Sequence, residues 1–280
     1  MFHVKHFDSV NRHRSDQSIG ENMGRIIAIT NQKGGVGKTT TAINLSATLA
    51  EAKQKVLLVD FDPQGNATSG FGIEDDEVKH TIYDAITGEC SIAETILEDV
   101  MENLDLIPAD MNLAATDVEF VDLERKNYIL KDLLASYKSQ YNYILIDCPP
   151  SLGTITVNAL TAADSVIIPI QCEYYALEGL NQVLNTISIV QGNLNPALVM
   201  EGIVFTMYDS RNKLSQEVVD TVKQNFQGNI YETVIPRNVR LAEAPSHGVP
   251  ITLYESSSSG AESYRKLAAE VMSKGDELYG

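Results

Sequence analysis

Cysteine is scarce in this 280-residue chain, which has only Cys90, Cys148 and Cys172, widely spaced and without a CxxC pair. An odd, scattered set excludes a disulfide scaffold as the organising principle, and it lacks the ligand spacing of an iron-sulfur cluster or a structural zinc site. Long apolar runs are missing too. The longest, near Ser165 to Ile170, is interrupted by Pro169 and falls far short of the ~18 residues a membrane span needs. Met1 to Arg14 is polar and rich in histidine, without the apolar core of a secretory leader. The expectation is a cytosolic protein that does not bind membrane.

Positive charge is the third scarcity. With 21 basic and 38 acidic residues the net charge is −17, which taken whole speaks against nucleic acid as a partner. The imbalance is local, however. Glu74 to Asp132 holds 17 acids and 4 bases, or −13, so everything else carries only −4. That stretch is expected to be a solvated surface of helices and loops, and a basic face elsewhere stays open. What the chain does have is length and apolar content, 44%, sufficient for one large core.

The first 22 residues show no periodicity and are expected to be a disordered extension, with one domain over 23–280. Arg25 to Thr30, Lys55 to Asp60, Tyr143 to Asp147, Ser165 to Ile170 and Met200 to Thr206 are compact apolar runs of the kind a parallel sheet buries on both faces. Between them Thr39 to Ala50 has helical spacing, as does the stripe Leu177, Leu180, Val183, Leu184, Ile187 and Val190. Alternating strands and helices predict a doubly wound, mostly parallel α/β sheet with helices on both faces, of the P-loop NTPase type, binding its ligand at the carboxyl ends of the strands. The run Ser256 to Gly260 reads as a flexible loop before a last helix, Ala261 to Lys274.

The segment between the first strand and first helix carries the chemistry. It reads Gln32-Lys33-Gly34-Gly35-Val36-Gly37-Lys38-Thr39-Thr40. Glycines let backbone N–H groups turn inward around phosphate oxygens, and the helix N-terminus adds the positive end of its dipole. Lys38 is placed for the β- and γ-phosphates and the Thr39 hydroxyl for Mg²⁺. Gln32 stands where the usual G-x-x-x-x-G-K-[ST] pattern has glycine, and Lys33 is an additional lysine.

Together with Asp60-Phe61-Asp62-Pro63-Gln64-Gly65-Asn66, Asp147-Cys148-Pro149-Pro150-Ser151, Gln171 to Gly179 and Ile235 to Leu241, this segment resembles the ParA/Soj-type partition ATPases with their deviant Walker A motif. The resemblance implies ATP and Mg²⁺ as cofactors, slow intrinsic hydrolysis, and an ATP-dependent homodimer in which Lys33 crosses to the partner's nucleotide. The nucleotide-binding set is then Lys33, Gly34, Gly35, Val36, Gly37, Lys38, Thr39 and Thr40, and the loop holding Pro236 and Arg237 becomes the candidate for the adenine. Asp62, after the second strand, can orient or deprotonate the attacking water, although an aspartate there also suits a turn or helix cap. Asp147 reads as the Walker B carboxylate holding Mg²⁺ through water. Asp60 has two readings, the magnesium's water shell or the loop itself.

The resemblance also implies nonspecific binding of double-stranded DNA through Arg211 and Arg240, with Lys213 and Arg237 as weaker candidates. A ParB-like centromere-binding protein would stimulate hydrolysis, a replication initiator is a further partner, and the protein would sit in the cytoplasm on the nucleoid. Two alternatives remain: a MinD-like membrane-positioning ATPase, and a nucleotide-dependent regulatory switch. A nitrogenase-type reductase is disfavoured by the position of Cys148 beside Asp147.

Met1 to His6 can be encoded by ATG TTT CAC GTG AAA CAT, in which TGTTTCAC is followed by its reverse complement, a palindrome resembling the centromere-like site of the family's ParB partner. The gene is expected to carry that repeat; a nucleotide sequence that breaks it refutes this reading. A chain begun at Met23 should keep ATP turnover within about twofold of the full chain in a phosphate-release assay.

Overall fold

The computed structural model describes residues 24–174 and 176–279; the extension 1–22 and Met23, the expected start of the domain, lie outside them. Among the described residues eight strands form one sheet: β1 (Arg25–Ile29), β2 (Val56–Asp60), β3 (Leu97–Met101), β4 (Leu104–Ile107), β5 (Tyr143–Asp147), β6 (Ser165–Gln171), β7 (Val199–Tyr208) and β8 (Ile230–Pro236). Their order is β3-β4-β2-β5-β1-β6-β7-β8, and only β3 runs antiparallel to its neighbour. The helices are α1 (Lys38–Glu51), α2 (Asn66–Ser69), α3 (Ile82–Thr87), α4 (Thr116–Glu119), α5 (Ile129–Leu134), α6 (Thr154–Ala162), α7 (Ala176–Asn193), α8 (Lys213–Asn225), α9 (Val239–Glu243), α10 (Ile251–Tyr254) and α11 (Ser259–Tyr279).

Every residue of β1, β2 and β5 is buried, which is why these strands read as continuous apolar runs. Successive side chains serve opposite layers. Ile26, Ala28, Leu57, Val59, Ile144 and Ile146 face the core shared with α3 and α5 to α8. Ile27, Ile29, Leu58 and Leu145 face the core shared with α1 and α11. This is the doubly wound arrangement that the alternation of strands and helices predicts.

Some boundaries shift. Ser259 and Gly260 belong to α11 rather than to the preceding loop. Glycine is required there because a Cβ would come within 2.7 Å of Leu241 Cγ. Ile235 and Pro236 close β8, leaving Arg237 and Asn238 as the connection to α9. An edge strand tolerates Pro236 because its missing N–H breaks no interior ladder.

Helix α11 buries Ala261, Tyr264, Leu267, Ala268 and Val271. Tyr264 meets Thr41 of α1, hydroxyl to hydroxyl at 3.3 Å. On edge strand β8 the carboxylate of Glu270 accepts the backbone N–H groups of Glu232 and Thr233, both at 2.8 Å. At the amino ends of the strands Arg25 pairs with the fully buried Glu201 at 2.7 Å, and Glu201 also accepts the hydroxyls of Ser165 and Tyr231. Removing one partner of such a buried pair strands the other, so Glu201→Ala should lower the unfolding free energy by about 3–5 kcal/mol in urea titration.

Candidate nucleotide site

Strand β1 delivers the chain into the phosphate loop, whose frame is fixed by side chains. Asn31 donates to the Pro169 carbonyl at 2.8 Å and accepts the Lys33 N–H at 3.0 Å. Gly35 and Gly37 have φ of +72° and +87°, a left-handed backbone that glycine adopts without strain. A Cβ on Gly34 or Gly35 would meet nothing within 4 Å, so the loop borders open space at these two positions. Helix α1 starts at Lys38 with neither a side-chain cap nor an acid in its first turn. Its N-terminal N–H groups and dipole are therefore left for a phosphate. Buried Lys38 donates to the Lys33 carbonyl at 3.2 Å. Burial lowers its pKa, and the charges of Asp147 and Asp62 act against that shift.

The sheet register brings the acids to the same place. Ile29 and Asp60 are both register partners of Asp147. Asp147 is fully buried and neither carboxylate oxygen has a hydrogen-bond partner of normal geometry. Burial first, then the charge of Asp60, pushes its pKa well up; the nearby Thr39 hydroxyl and Lys38 oppose this. An orphaned buried carboxylate beside a hydroxyl and a phosphate cradle fits a hydrated Mg²⁺. No group of three or more His, Cys, Asp or Glu among the described residues could hold a metal by itself, so such an ion would lean on phosphate oxygens and water.

Asp60 belongs to the loop. Its oxygens accept the Asp62 N–H at 3.2 Å and the Thr68 N–H and hydroxyl, both at 2.8 Å. Asp62 is buried beside Lys38, and its Oδ1 accepts the Gln64 N–H at 3.0 Å, so it does serve the turn. Lys33 lies at the rim with its ammonium 3.3 Å from Glu173.

Next to the loop is a cavity of about 580 Å³ bounded by Glu173, Tyr174, Met207, Asp209 and Arg237, within the range of ligand pockets. Thr206 joins it to the phosphate loop by donating to the Val36 carbonyl at 2.8 Å. Arg237 therefore lies where a base or ribose could be held, while Pro236 only ends β8 against Tyr208. Sequence reasoning missed Met207, whose φ of +52° is unusual for a side-chain-bearing residue, and Asp209. Their one signal was the end of an apolar strand.

Arg211 sits on the connection after β7 and Arg240 in α9, the short helix that follows the neighbouring strand β8, both exposed and both paired. Arg211 makes two bonds to Asp209, at 3.0 and 2.9 Å, which pull that carboxyl down to about 2. Arg240 bonds Glu243 at 2.7 Å. Lys213 likewise pairs with Glu217 at 3.5 Å. A strong cationic patch is thus not built from these residues in one copy. The apolar stripe of α11 faces the core, and no described helix is long and apolar enough to cross a membrane.

A family model described as "AAA domain" matches residues 24–200. The chain is 56% identical over 253 residues to the sporulation initiation inhibitor protein Soj of Bacillus subtilis, covering 90% of this chain and 100% of that protein. It is 52% identical to the chromosome partitioning protein ParA of Myxococcus xanthus, covering 90% of this chain and 89% of that one. Among solved structures, one described as cobyrinic acid a,c-diamide synthase from Mycobacterium smegmatis with bound ADP and magnesium superposes with a TM-score of 0.79. It is 35% identical and the match covers 91% and 96% of the two chains.

Burial raises the Asp60 pKa from 3.8 to about 6 against its hydrogen bonds. Below about pH 3 the group is protonated folded and unfolded and costs nothing; as pH rises through 3.8 to about 6 the unfolded chain ionises first and stability falls by roughly 3 kcal/mol. Asp147 moves the same way. Asp60→Asn should therefore flatten part, not all, of the loss of stability between about pH 4 and 7 in metal-free chemical denaturation.

Proposed function

The chain belongs to the ParA/Soj family of chromosome-partitioning ATPases, and from that premise we propose that its ATP-bound homodimer holds double-stranded DNA without sequence preference and lets go when a ParB-like centromere-binding protein accelerates hydrolysis. As a family member it is a Mg²⁺-dependent ATPase of chromosome partition. The observation that best supports the site assignment is the convergence of Lys38, Asp62 and orphaned Asp147 at the glycine loop.

In this reading the N–H groups of Gly34 to Thr39 cradle the phosphates, Lys38 neutralises the β- and γ-oxygens, and Thr40 extends the cradle along α1. Mg²⁺ when bound supplies charge to the same oxygens, held by the Thr39 hydroxyl and, through water, by Asp147. Asp62 uses Oδ1 for its turn, which leaves Oδ2 to orient the attacking water and receive its proton. Lys33, tied to Glu173 in the single copy, is the cation that would cross to the partner's nucleotide. Arg237 and the cavity beside it would take the base.

DNA binding falls to Arg211 and Arg240. Each is paired with an acid two or three residues away, so one copy offers little and two copies sum their phosphate contacts. A replication initiator is a further partner under the same nucleotide control, and the ATP form would reside on the nucleoid in the cytoplasm. The buried stripe of α11 supports DNA rather than membrane as the surface bound.

Binding to unrelated duplex DNA and to anionic vesicles, with ATP, ADP or no nucleotide, tests the proposal. DNA binding should appear only with ATP, with a log–log salt slope of about −3 to −4 for four arginines per dimer. Vesicle binding without DNA binding overturns it. Lys38→Ala should abolish ATP binding in equilibrium dialysis. Asp62→Ala should accumulate an ATP dimer in sedimentation, and a variant that stays monomeric with ATP refutes the role of Asp62. Arg211→Ala with Arg240→Ala should dimerise normally and lose DNA.

A further inference from the structure

Gln32 stands where the usual phosphate-loop pattern has glycine, and its side chain is engaged far from the loop in sequence. Its Nε2 donates to Thr186 Oγ1 of α7 at 2.9 Å. Helix α7 sets the direction of this bond, because the Thr186 hydroxyl gives its own hydrogen to the Gln182 carbonyl at 3.1 Å and keeps its oxygen to accept. Glycine at position 32 has no side chain to make this tie. We propose that Gln32 is a positioning residue for the ATPase reaction: hooked to α7, it aims Lys33 out of its own phosphate site and toward that of a second copy.

The backbone at Lys33 is held at both ends. Its N–H donates to Asn31 Oδ1 at 3.0 Å, and Asn31 is anchored on the Pro169 carbonyl of β6 at 2.8 Å. Its carbonyl accepts the Lys38 ammonium at 3.2 Å. Helix α7 lies against the same residues, since a Cβ on Gly179 would come 3.8 Å from Asn31 Oδ1 and 4.0 Å from Lys33 Cβ. With its carbonyl turned to Lys38, Lys33 sends its side chain to Glu173, on the connection from β6 to α7, at 3.3 Å. The two lysines of the loop are thereby separated. Lys38 is buried in the site, and Lys33 leaves it along α7.

Gln32 and Thr186 are both half-buried, and a neutral hydrogen bond in such a place changes an equilibrium by about three- to tenfold. The loss falls on dimer formation, where the direction of Lys33 matters. Nucleotide binding by one copy uses Lys38 and the loop N–H groups and does not depend on that direction. This inference rests on the reading of Lys33 as the cation that crosses between copies.

The test uses the full chain with Mg²⁺ and ATP over a range of protein concentrations. Sedimentation reads the dimer, phosphate release reads turnover, and equilibrium dialysis at low protein concentration reads ATP binding by one copy. Gln32→Ala and Thr186→Val should each weaken the ATP dimer about three- to tenfold, and the double variant should be no weaker than either. ATP binding by the single copy should stay within about twofold. Turnover per chain should drop at low protein concentration and recover at high concentration, a dependence that a loosened fold does not produce. Thr186→Ser keeps the hydroxyl and should behave as the unaltered chain. Additive losses in the double variant, a Thr186→Ser protein as weak as Thr186→Val, or ATP binding lost together with the dimer overturns the proposal. So does an unchanged dimer in both single variants when Lys33→Ala abolishes it. If Lys33→Ala itself dimerises as well as the unaltered chain, the crossing reading fails and takes this inference with it.

Discussion

Three neighbouring parallel strands end at one level, and the register among them places the β1 terminus, Asp60 and Asp147 side by side. The centre of that row is a carboxylate sealed from water with no hydrogen bond of normal geometry to either oxygen. An arrangement of this kind opposes folding by a few kcal/mol, and two apolar cores on either side of the sheet offset it. The chain is thus stable around a deficit of positive charge. Lys38 supplies part of what is missing, and in the proposed site a hydrated cation carried in with a nucleotide would supply the rest.

The parts of the molecule that a reader of the sequence can find are those whose signal is local. Strands β1, β2 and β5 are buried on both faces and so appear as unbroken apolar runs, and the glycine loop is contiguous. Strand β3 is half exposed at an edge, with two exposed acids, Glu98 and Asp99, in Leu97–Met101, and leaves no such trace. Strand β8 is only partly buried, irregular in its pairing and ends in proline. The cavity is assembled from the ends of β6, β7 and β8, and no stretch of sequence contains it. Asp60 shows the same limit at one residue, since its two sequence readings differ only in where its oxygens point, and three hydrogen bonds decide that.

Charge is organised by pairing as much as by number. The arginines assigned to DNA are held by acids two or three residues away, the signature lysine is held by Glu173, and the strongly acidic stretch lies apart, around α4. On the reading proposed above, a phosphate backbone would have to compete with those carboxylates, so contacts would be weak in one copy and additive in two. The −17 of the whole chain therefore says little about where polyanions can settle.

Glu270 occupies two backbone donors of the sheet's outermost strand. An open strand edge is a template for pairing with another chain. With Glu232 and Thr233 already engaged by a side chain of α11, edge-to-edge growth into an endless ribbon is blocked on that side. If copies meet face to face around nucleotide as proposed, this second route to self-association is closed to them at β8 by one carboxylate on the last helix.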